Sequence, residues 1–72
     1  MDAIKVIYDP AGQTLTLWLD DPHKESECEE AADEVVLMKD ASGRVIGFEI
    51  LSYHPTVPGK LSVQTVVLGQ VG

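Results

Sequence analysis

The side chains that could do chemistry in this chain are few and spread out. Ser26 has no base at a spacing typical of nucleophilic catalysis, and Cys28 stands among acidic residues, which raise a thiol pKa and disfavour the thiolate. Glu49 interrupts the apolar run VIGFEIL. It is either an outward carboxylate that limits pairing at a sheet edge, or a carboxylate held at an interface by hydrogen bonds or by a basic group of a partner chain.

Metal ligation is the second chemistry to consider. His23, Glu25, Cys28 and His54 form a possible ligand set on paper. Ligand pairs in metal sites have short fixed spacings, however, and these two histidines are far apart and each adjoins a proline. The sequence therefore predicts surface histidines, no metal, no cofactor, no catalytic residues and a protein that is not an enzyme.

Net charge narrows the class of partner. Five basic residues against twelve acidic ones give a net charge of −7, which disfavours direct binding to nucleic acid. Eight of the twelve acids lie in residues 20–34, an acidic connecting segment. It is either a solvated linker or, through Glu27, Glu29 and Glu30, a binding strip for a basic protein partner.

Chain length makes self-association a strong expectation. Seventy-two residues form a single domain, 1–72, and a chain this short buries only about 60% of its unfolded surface. Cys28 is the only cysteine, so no internal disulfide can supply the missing stability. A homodimer is expected. The N-terminus lacks signal-peptide features and no apolar run reaches the roughly 18 residues of a membrane span, so we expect a cytoplasmic protein without membrane contact.

Two turn signals organise the fold. The quartets DPAG and DASG begin at Asp9 and Asp40 and end at Gly12 and Gly43, where a left-handed glycine is expected. Each quartet is flanked by apolar and β-branched residues, which predicts two hairpins. Their strands are residues 3–8 with 14–19 and 34–39 with 44–51. With residues 60–72 as a further strand, the fold class is mainly β, an antiparallel meander of two hairpins plus a C-terminal strand, with at most one short helix.

The connecting segment has two possible structures. Ser26 and Glu29 have capping-box spacing, so residues 27–33 can form two helical turns. Residues 24–28 can equally extend the third strand, with a kink at Ala31 and Ala32. Both alternatives remain open at this point.

Hairpin register predicts which residues share a face. If Asp9 pairs with Gln13 and Asp40 with Arg44, Ile7 lies opposite Leu15 on a core face. The other face is also apolar and needs a cover, for which a second copy of the sheet is expected. This predicted interface contains Ile4, Val6, Val35, Leu37 and Val45, together with Trp18. Gly47 lies on the same face, where its missing side chain lets a large ring or a backbone come close.

A pocket is the alternative to a pure interaction surface. Trp18, Tyr53 and Glu49 combine two aromatic rings with a carboxylate. Together they predict a small-molecule-binding or enzymatic domain as the second function class.

Several of these motifs occur together in a known family. The turn YDP at residues 8–10, the pair VL at 36–37 and above all GRVIGFEIL at 43–51 resemble the prokaryotic family called domain of unknown function 2283. The resemblance covers residues 4–51 and leaves 52–72 as an extension. It implies a compact, mostly β single domain without an assigned activity. Some members are encoded beside small toxin-like proteins, which implies an antitoxin role for a subset.

Overall fold

Five short strands form one antiparallel sheet in the computed structural model, which describes residues 3–57 and 59–69. The strands are β1 (Lys5–Asp9), β2 (Thr14–Trp18), β3 (Glu27–Ala32), β4 (Val35–Lys39) and β5 (Val45–Ile50), and a 3₁₀ turn covers Pro22–Lys24. Their order across the sheet is β1-β2-β5-β4-β3. The mainly β prediction is confirmed. β1 and β3 are the two edges, and β5 is central.

The fifth strand comes from the acidic segment and not from the tail. Residues 27–32 pair antiparallel with β4, whereas residues 60–69 contain no strand. The prediction of a C-terminal strand within 60–72 is therefore wrong for the described residues. Of the two alternatives for the connecting segment, the helix over 27–33 is wrong, and the strand forms at Glu27–Ala32 as a separate strand instead of as an extension over 24–28. A turn at Asp33 and Glu34, with Glu34 at φ 65°, reverses the chain directly. A register shift between Glu30 and Ala32 lies near the predicted kink.

The first hairpin is one residue away from its predicted register. Asp9 pairs with Thr14 instead of Gln13, and Ile7 lies opposite Thr16 instead of Leu15. The Asp9 carboxylate accepts hydrogen bonds from the backbone N–H groups of Ala11 (3.1 Å) and Gly12 (3.2 Å). The turn consequently extends by one residue, and Gln13 takes the left-handed conformation (φ 57°) expected at Gly12.

The second hairpin starts in its predicted register and then leaves it. The N–H of Asp40 donates to the carbonyl of Arg44 (3.0 Å), and Gly43 has the expected left-handed φ of 85°. Beyond this turn, Lys39 pairs with Val45 but Met38 pairs with Gly47, so Ile46 is an extra residue in β5. Such a bulge shifts the register of everything behind it by one residue. Ile46 is only 1% exposed.

These two shifts collect the apolar side chains on one side of the sheet, because a one-residue slip exchanges the faces of a strand. We call this side the apolar face. Three charged residues, Glu27, Glu29 and Lys39, project to this side near the β3 edge. The cross-strand pairs also place eight of the apolar residues there, Val6, Tyr8, Leu15, Leu17, Val35, Leu37, Phe48 and Ile50. All eight are half-buried. The mixed face on the other side carries Thr16, Trp18, Cys28, Glu30, Val36, Met38, Gly47 and Glu49.

The predicted interface residues all belong to the apolar side, but Trp18 does not. Val45 pairs with Lys39, which shares a side of β4 with Leu37. Ile4 borders a hollow together with Val6 and Leu17. Trp18 pairs with Gly47 on the mixed face, so its predicted place beside Val6 is wrong.

The described part of the tail lies at the β1–β2 end of the apolar face. The N–H of Tyr53 donates to the carbonyl of Gln13 (2.7 Å), and the N–H of Gly59 donates to the hydroxyl of Tyr8 (3.3 Å). Residues 63–66 then line the hollow beside Ile4. Val67 and Leu68 are 81% and 90% exposed. Within the described ranges, no helix has the length and apolar character to cross a membrane.

Candidate functional site

Two rows of cross-strand neighbours build a pocket in the centre of the mixed face. Thr16, Glu49 and Val36 lie side by side on β2, β5 and β4. The next row runs through Trp18, Gly47, Met38 and Cys28. Glu25, which precedes β3, also lines the cavity, whose volume is about 190 Å³. The pocket therefore draws on four of the five strands and on the segment before β3.

Glu49 contributes a carboxylate from the central strand. The hydroxyl of Thr16 donates to Glu49 Oε2 over 3.1 Å, and the residue Thr16 as a whole is only 9% exposed. A role in limiting edge pairing is wrong because β5 has a strand on each side. Glu49 accepts this hydrogen bond from a threonine of the same sheet, and the interpretation as a carboxylate held at an interface with a partner chain stays a prediction.

Gly47 makes room for the Trp18 ring. A Cβ atom placed on Gly47 would lie 2.7 Å from Trp18 Cε3, 2.8 Å from the carbonyl oxygen of Leu17 and 3.2 Å from Met38 Cε. These distances are shorter than van der Waals contact, so only glycine fits here without displacing its neighbours. The predicted close approach of a large ring is confirmed, although it occurs on the mixed face, where Gly47 lies opposite Met38.

Cys28 is a hydrogen-bond donor in this pocket. Its Sγ donates to Glu25 Oε2 over 2.6 Å. Cys28 is exposed, and this hydrogen bond, followed by partial desolvation and by the negative charges of Glu25 and Glu49, raises the pKa of its thiol. The group therefore stays protonated at neutral pH, and a nucleophilic role is disfavoured, as its acidic neighbours predict.

Comparison with known proteins places this sheet in a family. A family described as protein of unknown function (DUF2283) matches residues 5–53. The chain belongs to this family. Neither the curated proteins nor the solved structures contain a match to it. The match confirms the predicted resemblance, and it includes every residue that lines the pocket of this DUF2283 domain.

Tyr53, predicted beside Trp18 and Glu49, lies in a different place. Its ring packs edge-on against Tyr8, with centroids 5.7 Å apart and an angle of 82° between the rings. It lines a second cavity of about 140 Å³ with Tyr8 and His54. β5 ends at Ile50, and Ser52 turns the chain with a φ of 57°. The structure thus brings Trp18 and Glu49 together in one cavity and places Tyr53 in another.

The four residues of the possible metal set do not converge. Glu25 and Cys28 line the mixed-face pocket, whereas His54 lines the cavity beside Tyr53. His23 Nδ1 lies 2.9 Å from the carboxylate of Asp21 at the 3₁₀ turn. The described part of the chain holds no group of three or more histidine, cysteine or acidic side chains able to bind a metal ion together.

The acidic residues of β3 do not form one continuous strip. Glu27 and Glu29 project to the apolar side and Glu30 to the mixed side, because they alternate along an edge strand. Glu29 forms an ion pair with Lys39, and this hydrogen bond raises the pKa of the Lys39 ammonium. All three glutamates are exposed.

Sequence reasoning missed five of the seven residues that line the pocket, Thr16, Glu25, Cys28, Val36 and Met38. The alternation in TLTLW, residues 14–18, was the available signal, because it places both threonines and Trp18 on one face of β2. Using that signal required the correct register of β2 against β5, which joins Thr16 to Glu49.

Proposed function

We propose that this DUF2283 domain is a small, non-catalytic interaction module that dimerises through its apolar face. One observation carries the proposal. The eight residues of that face are half-buried side by side, and the described residues supply only one sheet with a partial cover at the β1–β2 end. Soluble monomers rarely expose a contiguous apolar patch of this kind.

The large exposed surface area of the chain supports the proposal that a partner covers part of it. The chain exposes 5587 Å², whereas a compact monomer of 7.8 kDa exposes about 4,400 Å². Its radius of gyration is 13.8 Å, against about 11 Å for a compact 72-residue domain. The excess of about 1,200 Å² is shared between the apolar face and the exposed tail, in which residues 62–69 are all exposed. A partner in a standard interface buries about 800 Å².

Charge supports a second, basic partner. The net charge is −7, and Glu27, Glu29 and Glu30 stay exposed on the β3 edge. A dimer closed over the apolar face would keep this edge at its rim, where charge steers association. We propose an antitoxin-like role, in which the acidic edge masks a small basic protein in the cytoplasm without direct contact with nucleic acid or membrane.

Mass measurement of matched variants tests the dimer. Leu37→Asp puts a carboxylate into the proposed interface twice, because a two-fold interface contains each residue from both copies. Ile7→Asp introduces the same charge on the other side of the sheet, where Ile7 is 42% exposed opposite Thr16. We expect light scattering to give twice 7.8 kDa for the wild type and for Ile7→Asp, and a monomeric or unfolded Leu37→Asp.

A milder variant keeps this test decisive if Leu37→Asp fails to fold. Leu37→Ala should retain the circular dichroism spectrum of the sheet while it dissociates at a protein concentration at which the wild type is dimeric. A wild-type mass of 7.8 kDa across the accessible concentration range would overturn the dimer.

The pocket on the mixed face favours a second candidate function, a small-molecule-binding domain. Trp18 and Glu49 line one cavity, as that function requires. Neighbouring genes discriminate between the two classes, since a gene for a small basic nuclease-like protein favours masking and a metabolic operon favours ligand binding. Copurification with native neighbours would identify the partner directly.

A further inference from the structure

The size of the mixed-face pocket limits what it can hold. Its volume is about 190 Å³, below the roughly 300 to 1,000 Å³ of pockets that enclose whole drug-sized ligands. A single head group fits such a space better than a complete metabolite does. The rest of a ligand would extend outward over the mixed face.

The charge of the lining selects a cation. Glu25 and Glu49 line the cavity, and its lining includes no lysine, arginine or histidine. The hydroxyl of Thr16 donates a hydrogen bond to Glu49 Oε2, and the thiol of Cys28 donates one to Glu25 Oε2. Both donors are neutral. Neutral donors orient the two carboxylates without cancelling their charge, and the described residues direct no hydrogen bond to either Oε1 atom. Two negative groups therefore remain for a ligand.

The indole of Trp18 selects an organic cation over a hydrated metal ion. Trp18 lies against Gly47, which holds the ring close to the sheet beside Met38. Tryptophan is the best aromatic partner for guanidinium and ammonium groups. Val36 and Met38 add apolar wall that suits the carbon skeleton of an organic cation, whereas Ca²⁺ requires six to eight oxygen ligands.

We propose that this pocket binds one guanidinium or ammonium head group, which stacks on Trp18 and pairs with the carboxylates of Glu49 and Glu25. The head group can belong to a free small cation or to an arginine or lysine side chain of a protein partner. If the cation is a free small molecule, this inference rests on the proposed small-molecule-binding function. If it is a side chain of a protein, the inference rests on the proposed basic partner. It does not depend on the dimer, which uses the other side of the sheet.

Fluorescence of the full chain tests the site directly, because Trp18 is its only tryptophan. Ethylguanidinium chloride and ethylammonium chloride are titrated at constant ionic strength, with sodium chloride and neutral propionamide as controls. We expect a saturable change in Trp18 emission with at least one of the two cations and none with the controls. Glu49→Gln should weaken that binding at least tenfold.

Glu34→Gln is the matched control variant. It removes the same charge from an exposed position in the turn between β3 and β4, and Glu34 neither lines the cavity nor belongs to the proposed acidic edge. It should bind the cations within twofold of the wild type. Equal weakening by both variants would mean that the cations respond only to overall charge, and would overturn the site.

Two further titrations, with an arginine peptide and with calcium chloride, identify the source and the class of the cation. A capped Gly-Arg-Gly peptide that binds at least ten times more tightly than ethylguanidinium indicates a protein side chain, and comparable affinities indicate a free small cation. Saturation by calcium chloride without saturation by either organic cation would overturn the proposal in favour of a metal site. Light scattering on the same samples reports the dimer separately, so failure of either proposal is recognisable.

Discussion

Gly47 determines how closely Trp18 can approach the sheet. The glycine leaves a depression between Trp18 and Met38, and the carbonyl of Leu17 borders the same space. A side-chain neighbour can rotate away from a new methyl group, but a strand carbonyl cannot without breaking its pairing. The requirement for glycine at this position is therefore steric and not a matter of backbone dihedral angles.

Gly47→Ala is accordingly expected to destabilise the fold by about 1 to 3 kcal/mol, the usual cost of overpacking. Gly43→Ala is a suitable control, because a Cβ there meets nothing within 4 Å and the cost of about 1 to 2 kcal/mol comes only from its φ of +85°. Chemical denaturation gives both values. Only Gly47→Ala should shift the emission of Trp18, and an unchanged emission with full stability would show that the ring does not lie on Gly47.

At the scale of elements, turn residues located both hairpins but could not fix their registers. The DPAG quartet predicted a turn, yet Gln13 and not Gly12 took the left-handed conformation. The DASG quartet correctly predicted its turn and the conformation of Gly43. No residue type in this hairpin, however, indicates the bulge at Ile46. A bulge depends on how two strands pack, which the local sequence does not encode.

The local sequence of the acidic strand β3 does not predict a strand either. Its sequence ECEEAA lacks the β-branched and aromatic residues that favour strands, and Ser26 offers a helix cap. Pairing with β4 overrides these local preferences. Placed at an edge, the exposed glutamates discourage further pairing.

The second turn carries a prediction about pH. Asp40 Oδ1 accepts hydrogen bonds from Ser42 Oγ (2.7 Å) and from the backbone N–H groups of Ser42 (2.9 Å) and Arg44 (3.0 Å). The Ser42 hydroxyl, followed by the Arg44 N–H, lowers the pKa of the Asp40 carboxyl. Its contribution to stability is full above about pH 4, the ordinary aspartate pKa, and disappears as the pH falls through the lower folded-state value.

Asp40→Asn keeps an acceptor oxygen without titrating, so its stability should fall less steeply than that of the wild type below pH 4. Ser42→Ala removes the main cause of the lowered pKa and should give a loss of intermediate steepness. Urea unfolding between pH 7 and pH 2.5, at one protein concentration, measures these slopes. Three parallel curves would exclude Asp40 as a contributor to acid unfolding.

At the scale of the whole molecule, two register shifts of one residue each change the sheet from two predicted apolar faces to one. The predicted register divided apolar residues between both sides, and the structure collects eight of them on one side and leaves a pocket on the other. Composition and length predicted a domain too small to bury its own core, and that argument survives the error in register because it depends on area and not on pairing. The pocket could not be predicted as a whole, since it needs both register shifts at once.

The proposed dimer predicts that the Tm of thermal unfolding depends on protein concentration. If folding and dimerisation are coupled, raising the protein concentration stabilises the folded dimer by mass action, and a tenfold increase corresponds to about 1.4 kcal/mol. For a dimer of two 72-residue chains, this should raise the Tm by about 3 to 6 °C. Ile7→Asp should show the same dependence, whereas Leu37→Ala should have a lower Tm than the wild type at every concentration. A Tm that stays constant over a hundredfold range of concentration would mean that the single sheet is stable alone, with its apolar face open to solvent.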